Sequence, residues 1–147
     1  MLDLGTGAGF PGLVLKICEP SLELALLEPS QKKVTFLHHI IRGLGLKGVE
    51  VIQGRAEDKK IKALYGGRFD LVISRALGSL ETFITLALPF IKEEGRIVAM
   101  KGPKGKEEWE GIKGRGLGVV LQEVKLLSLP WGGGRRSLLI FSRPKGD

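Results

Sequence analysis

Four of the eight residues Gly5-Thr6-Gly7-Ala8-Gly9-Phe10-Pro11-Gly12 are glycine. Glycine loses more conformational entropy on folding than any other residue, so this density implies unusual torsions or close approach of another group. The loop follows an apolar stretch, Met1-Leu2-Asp3-Leu4, and precedes Leu13, Val14, Leu15 and Ile17. Pro11 presets its torsion for a first helical turn. A strand that ends in such a loop and feeds a helix forms a nucleotide-type site in an open α/β sheet. Gly7, Gly9 and Gly12 also spell G-x-G-x-x-G, which by itself is a weak signal.

An acid sharpens it. Leu22-Glu23-Leu24-Ala25-Leu26-Leu27-Glu28 reads as a second buried strand ending on a carboxylate. Glu28 stands about 20 residues past the glycines, the spacing at which such sheets place an acceptor for ribose hydroxyls.

The 147 residues suffice for one domain with a proper core. No apolar run reaches the length of a membrane span, and no signal peptide opens the chain. Cys18 is the single cysteine, so no internal disulfide can form and a cytoplasmic setting is expected. Cys18 itself reads as a small hydrophobe on the apolar side of the first helix. The net charge of +7 favours a polyanionic partner, nucleic acid first.

Strand and helix patterns alternate along the chain. Ser30 is placed to cap a helix carrying Val34, Leu37, Ile41 and Leu44. Val49 to Ile52 reads as a third strand, with a short helix over Ile61 to Leu64. Phe69 to Ser74 is a continuous β-rich run. Ser79 opens a further helix through Leu88, and Gly95 to Met100 is a fifth strand. Lys104 to Gly116 is either an amphipathic helix around Trp109 and Ile112 or a loop. Two last strands, Val119 to Leu127 and Ser137 to Ser142, are joined by a connector too short for a crossover helix, so they pair antiparallel. The fold class is therefore α/β: a Rossmann-like, mostly parallel seven-stranded sheet in one domain, closed by an antiparallel hairpin. That hairpin marks the S-adenosylmethionine-dependent methyltransferase fold, whereas a dehydrogenase would continue with parallel units.

The motifs then converge on one family. Leu2-Asp3-Leu4-Gly5-Thr6-Gly7-Ala8-Gly9-Phe10-Pro11-Gly12 resembles the signature of the RsmG family, also called glucose-inhibited division protein B. The match continues through Lys32 to Leu37, Gly54-Arg55-Ala56-Glu57-Asp58, Phe69 to Ser74 with Arg75-Ala76, and Lys101-Gly102. The resemblance covers essentially the whole chain. It implies transfer of a methyl group from S-adenosylmethionine to ring nitrogen seven of a guanine in 16S ribosomal RNA or the small ribosomal subunit. Family members carry an N-terminal helical segment before the signature, so this chain is expected to be short of it. The acid after the second strand is Glu28, where the family pattern has Asp; glutamate still offers two acceptor oxygens.

Carried over by position, the resemblance implies a cofactor site of Asp3, Gly5, Gly7, Gly9, Phe10, Glu28, Ala56, Glu57 and Arg75. Asp3 orders the glycine loop and helps to hold the methionine amino group. Glu28 takes the ribose hydroxyls, and Ala56 and Glu57 contact the adenine. Arg75 and Lys101 are candidates for positioning at the reaction centre. Lys101, Lys104, Lys106, Arg135 and Arg136 follow strand five and the hairpin turn, where they are expected to meet phosphates. Trp131 is either placed to stack on a base or a packing anchor beside Pro130.

No catalytic base is assigned, and the chemistry requires none. The seven-position nitrogen has an in-plane lone pair and no proton to lose, so catalysis reduces to alignment. His38 and His39 fall mid-helix, and no His/Cys cluster offers a metal site. The chain has neither an Asn-Pro-Pro-Tyr-like stretch after strand four nor a cysteine placed to attack a pyrimidine ring. Two alternatives remain at this level: a nicotinamide-dependent Rossmann oxidoreductase domain, and a non-catalytic RNA-binding fragment.

Overall fold

The computed structural model describes residues 1–75 and 77–146. Ala76, which ends the Ser-Arg-Ala motif, lies outside them. Among the described residues seven strands form one sheet: β1 (Leu2–Leu4), β2 (Leu24–Glu28), β3 (Val49–Gln53), β4 (Phe69–Ser74), β5 (Ile91–Lys101), β6 (Val120–Ser128) and β7 (Arg135–Ser142). Their order is β3-β2-β1-β4-β5-β7-β6. The first five run parallel, and β7 pairs antiparallel with both β5 and β6. This is the architecture expected from the alternation and the short last connector.

Helices α1 (Gly12–Cys18), α2 (Gln31–Gly43), α3 (Lys59–Tyr65), α4 (Leu80–Ala87) and α5 (Gly105–Ile112) cover the two faces. Ser30 and Ser79 cap α2 and α4 as expected, accepting from the Lys33 and Thr82 N–H groups. Asp58 caps α3, accepting from Lys60 N at 3.0 Å. Leu13, Leu24, Leu26 and Leu37 form the core under α1 and α2. A larger core on the other face gathers Leu4, Val72, Phe83, Phe90, Ile97, Leu139 and Phe141.

Three sequence expectations change. Cys18 is exposed. In the short α1 only Gly12, Leu13 and Lys16 face the sheet; at 100° per residue, Cys18 points away from that stripe. Strand β5 begins at Ile91, ahead of the expected Gly95. Its register against β4 shifts between the Phe69–Ile91 and Leu71–Arg96 pairs, and the exposed Lys92-Glu93-Glu94 hides the strand from any hydrophobic pattern. The ambiguous stretch after Gly102 resolves as α5, because Trp109 and Ile112 are buried. Trp109 meets Phe141 edge to face, with centroids 4.9 Å apart. No helix among the described residues is long and apolar enough to cross a membrane.

The strand order reverses between β1 and β4. Connections leave these neighbours in opposite directions and open a crevice beyond their carboxyl ends, the place where open α/β sheets receive ligands.

Candidate cofactor site

Asp3 sits in the middle of β1, fully buried. Its Oδ2 accepts from the Thr6 hydroxyl at 2.7 Å and from the Gly12 N–H at 2.9 Å. One carboxylate oxygen thus ties the start of the glycine loop to its end. The other, Oδ1, is buried without a partner. Burial pushes the Asp3 carboxyl up to about 6, against the opposing hydrogen bonds from Thr6 and Gly12 and the charge of Arg75. The unfolded carboxyl ionises near pH 4, while the folded one keeps its proton to about pH 6, so this group's contribution to stability declines as pH rises between them. Relative to Asp3→Asn, wild-type stability should fall by about 3 kcal/mol across that window. Urea unfolding at a series of pH values checks this; a flat difference would mean that Asp3 ionises normally in the fold.

The glycines divide by task. Gly7 has φ +60°, and the space where its Cβ would stand is open to 4 Å. Its N–H donates to Glu28 Oε2 at 3.2 Å, which brings the acid at the end of β2 onto the loop. A Cβ on Gly12 would come within 2.7 Å of Leu26 and 2.9 Å of Asp3 Oδ2, so this glycine lets α1 approach the sheet. Gly9 is buried, and a Cβ on it would meet Leu13 and Leu37.

Across the switch point a cavity of about 280 Å³ is lined by Gly5, Leu27, Pro29, Ala56, Glu57, Leu77, Gly78 and Thr82, among others. Gly5 and the Ala56-Glu57 pair, which begins 51 positions later in the sequence, therefore share one pocket. The Arg75 guanidinium lies over the Phe10 ring, 5.6 Å from its centroid. That contact joins the loops after β1 and β4. Two buried groups escaped the sequence reading. Thr6 orders Asp3, and only the Asp-x-x-Thr spacing hints at it. Ser74, at the end of β4, buries a hydroxyl with no partner, and nothing in the sequence marks it.

The basic residues separate. Lys101 donates to the Gly78 carbonyl at 3.3 Å and stands 3.5 Å from Glu108, with its side chain only 19% exposed. Lys104 and Lys106 are exposed at the start of α5, and Arg135 and Arg136 at the start of β7. Lys101 pairs with Ser137, and Ser128 with Arg135. The hairpin turn therefore leaves the same sheet edge as the glycine loop. Four strand spacings separate β1 from β6, about 19 Å. Trp131 in that turn is fully exposed.

The chain is similar to known proteins. A family model described as GidB, rRNA small subunit methyltransferase G, matches residues 1–136. The chain belongs to this family. It is 48% identical to the ribosomal RNA small subunit methyltransferase G of Moorella thermoacetica over 108 residues, which is 74% of this chain and 45% of that protein. The relative of the same name from Geobacter sp. (strain M21) is 41% identical over 97% of this chain and 66% of its own length. That from Lactobacillus helveticus is 40% identical over 99% of this chain and 61% of its own length. The chain thus spans about half to two thirds of these relatives.

Among solved structures, a SAM-dependent methyltransferase from Aquifex aeolicus superposes with a TM-score of 0.68 at 20% identity, covering 95% of this chain and 80% of that one. M. jannaschii TYW2 in complex with AdoMet gives 0.70 at 17% identity, covering 97% and 68%. These likenesses establish the methyltransferase fold.

Proposed function

We propose that this domain binds S-adenosylmethionine and forms 7-methylguanosine in 16S ribosomal RNA, in the cytoplasm. One observation carries the reading: the unpartnered, buried Oδ1 of Asp3 at the switch point, beside the glycine loop that Glu28 grips. An acceptor of this kind suits the ammonium of an amino acid moiety. Glu28 at the end of β2 suits ribose hydroxyls, and the cavity walls Leu27, Ala56 and Leu77 suit an adenine ring. The residues present therefore fit the cofactor. Family membership and the printed names of the relatives support the ribosomal RNA target.

When bound, S-adenosylmethionine supplies a methyl group on a sulfonium, already activated for transfer. The chain's own residues bind and orient. Asp3 and Glu28 fix the two polar ends, Ala56 and Glu57 border the adenine, and Phe10 and Arg75 form the rim over which the base enters. No residue has to take a proton from the target nitrogen, so alignment does the catalysis. His38 and His39 are exposed on α2, away from the cleft. Lys104, Lys106, Arg135 and Arg136 hold phosphates of the nucleotides flanking the target, across the edge between cleft and hairpin.

Calorimetry with S-adenosylhomocysteine and with NADH tests the cofactor. Binding of the first and not the second is expected; the reverse would favour the oxidoreductase reading. Methyl transfer to protein-free and ribosome-bound 16S RNA, read by nucleoside mass spectrometry, tests the reaction. The expected product is 7-methylguanosine, another methylated nucleoside would overturn the target assignment, and binding without transfer would favour the RNA-binding reading.

The interface carries its own expectation. Arg135→Ala with Arg136→Ala should weaken RNA binding and make its log–log salt dependence shallower by about 1.4, the share of two phosphate contacts on single strands. Cofactor affinity should stay at the wild-type value. An unchanged salt slope would remove the hairpin from the interface.

A further inference from the structure

Glu108 lies on α5, and it is not among the residues that line the cofactor cavity. Its Oε1 accepts the Leu80 N–H at 2.7 Å and stands 3.5 Å from Lys101 Nζ. Lys101 in turn donates to the Gly78 carbonyl at 3.3 Å. One carboxylate and one ammonium, from α5 and from the end of β5, thus close on residues 78–80, the entry to α4.

This entry needs such partners. Leu80 is the first residue of α4 and fully buried, and the first N–H groups of a helix have no acceptor inside it. Ser79 serves the Thr82 N–H, so the Leu80 N–H is left to Glu108. A carboxylate at this end also complements the helix dipole.

The same connection is a wall of the cofactor cavity. Leu77 and Gly78 line it together with Ala56 and Glu57. Leu77 Cδ1 stands 2.9 Å from where a Cβ on Gly5 would be, so Leu77 packs on the glycine loop itself. A shift of residues 78–80 is passed directly to the pocket.

We infer that Glu108 is a positioning residue: through Leu80 and Lys101 it fixes the β4–α4 wall and thereby sets cofactor affinity from outside the pocket. The inference rests on the cofactor reading proposed above. Sequence pattern alone places Glu108 in a solvated Lys/Glu-rich stretch, where a bystander role is the default.

The test is calorimetry with S-adenosylhomocysteine on the full chain, for wild type, Glu108→Ala, Glu108→Gln, Lys101→Met and the Glu108→Gln/Lys101→Met pair. Thermal midpoints and amide hydrogen exchange of segment 77–80 are measured alongside. Glu108→Ala should raise Kd about tenfold, in line with loss of a charged hydrogen bond to a buried N–H. Glu108→Gln keeps an acceptor for Leu80 and should lose only about threefold. The double variant should lose less than the product of its two single effects, because Lys101 and Glu108 act as one unit. Exchange in segment 77–80 should quicken in Glu108→Ala. A role in general stability alone would lower the midpoints and leave Kd unmoved well below them; that result overturns the inference, as do independent effects in the double variant. The conservative Glu108→Gln keeps the test decisive where the alanine variant fails to fold. Absence of binding by wild type would instead defeat the cofactor reading, and the inference would fall with it.

Discussion

Gly7→Val should raise the Kd for S-adenosylhomocysteine by at least about 100-fold, which is about 2.7 kcal/mol, and leave the sheet intact. Two effects combine. Gly7 holds φ +60°, a region that costs an L-residue about 1–2 kcal/mol and a β-branched one more. The side chain would also fill space that is open in front of the loop, where a ligand backbone contact is expected. Relaxation of the loop would release the Gly7 N–H from Glu28. The same substitution should lower the thermal midpoint by several degrees through backbone strain, without a steric clash, since no neighbouring atom lies within 4 Å of the new Cβ. Wild-type affinity in the variant would place the cofactor elsewhere.

Asp3→Ala should abolish measurable cofactor binding and destabilise the domain by about 2–5 kcal/mol at pH 5. The Thr6 hydroxyl and the Gly12 N–H would both lose their acceptor in a dry interior, and each buried, unpaired donor costs about 1–3 kcal/mol. The destabilisation should be smaller at pH 7. There the wild-type carboxylate is ionised against its burial, and removing it relieves that penalty. Urea unfolding at the two pH values, with calorimetry for the ligand, separates these effects. A larger loss at pH 7 than at pH 5 would contradict the raised carboxyl. Retained binding would show that Oδ1 is not an anchor.

Much of this site follows from local spacing. The glycine loop behind β1 and the acid closing β2 were marked by position relative to a strand end, and the Ala56-Glu57 pair after β3 by the family resemblance. They meet because every parallel strand delivers its carboxyl end to one edge. The Ser30 and Ser79 caps were legible for a similar reason: cap chemistry acts within three residues.

What escaped the sequence was set by contacts across the sheet. Cys18 looked apolar and buried, yet in a seven-residue helix one face takes all the packing, and Lys16 is buried there with its ammonium on the Pro20 and Leu22 carbonyls. Lys101 looked like a free cation in a basic run. The fold brings Gly78 and Glu108 to it from 23 positions back and seven ahead.

The sequence by itself determined the element order, the parallel sheet with its antiparallel ending and, through its motifs, the family. These depend on periodicity, turn chemistry and short-range spacing, all of which are local. Only the tertiary structure decided that Asp3 carries a buried oxygen without a partner, that Ser74 does the same, that a Cβ on Gly9 would meet Leu13 and Leu37, and that Glu108 reaches the Leu80 N–H at the entry to α4. Burial and long-range pairing are properties of the packed chain: they exist only once distant strands and helices have excluded water from the groups between them.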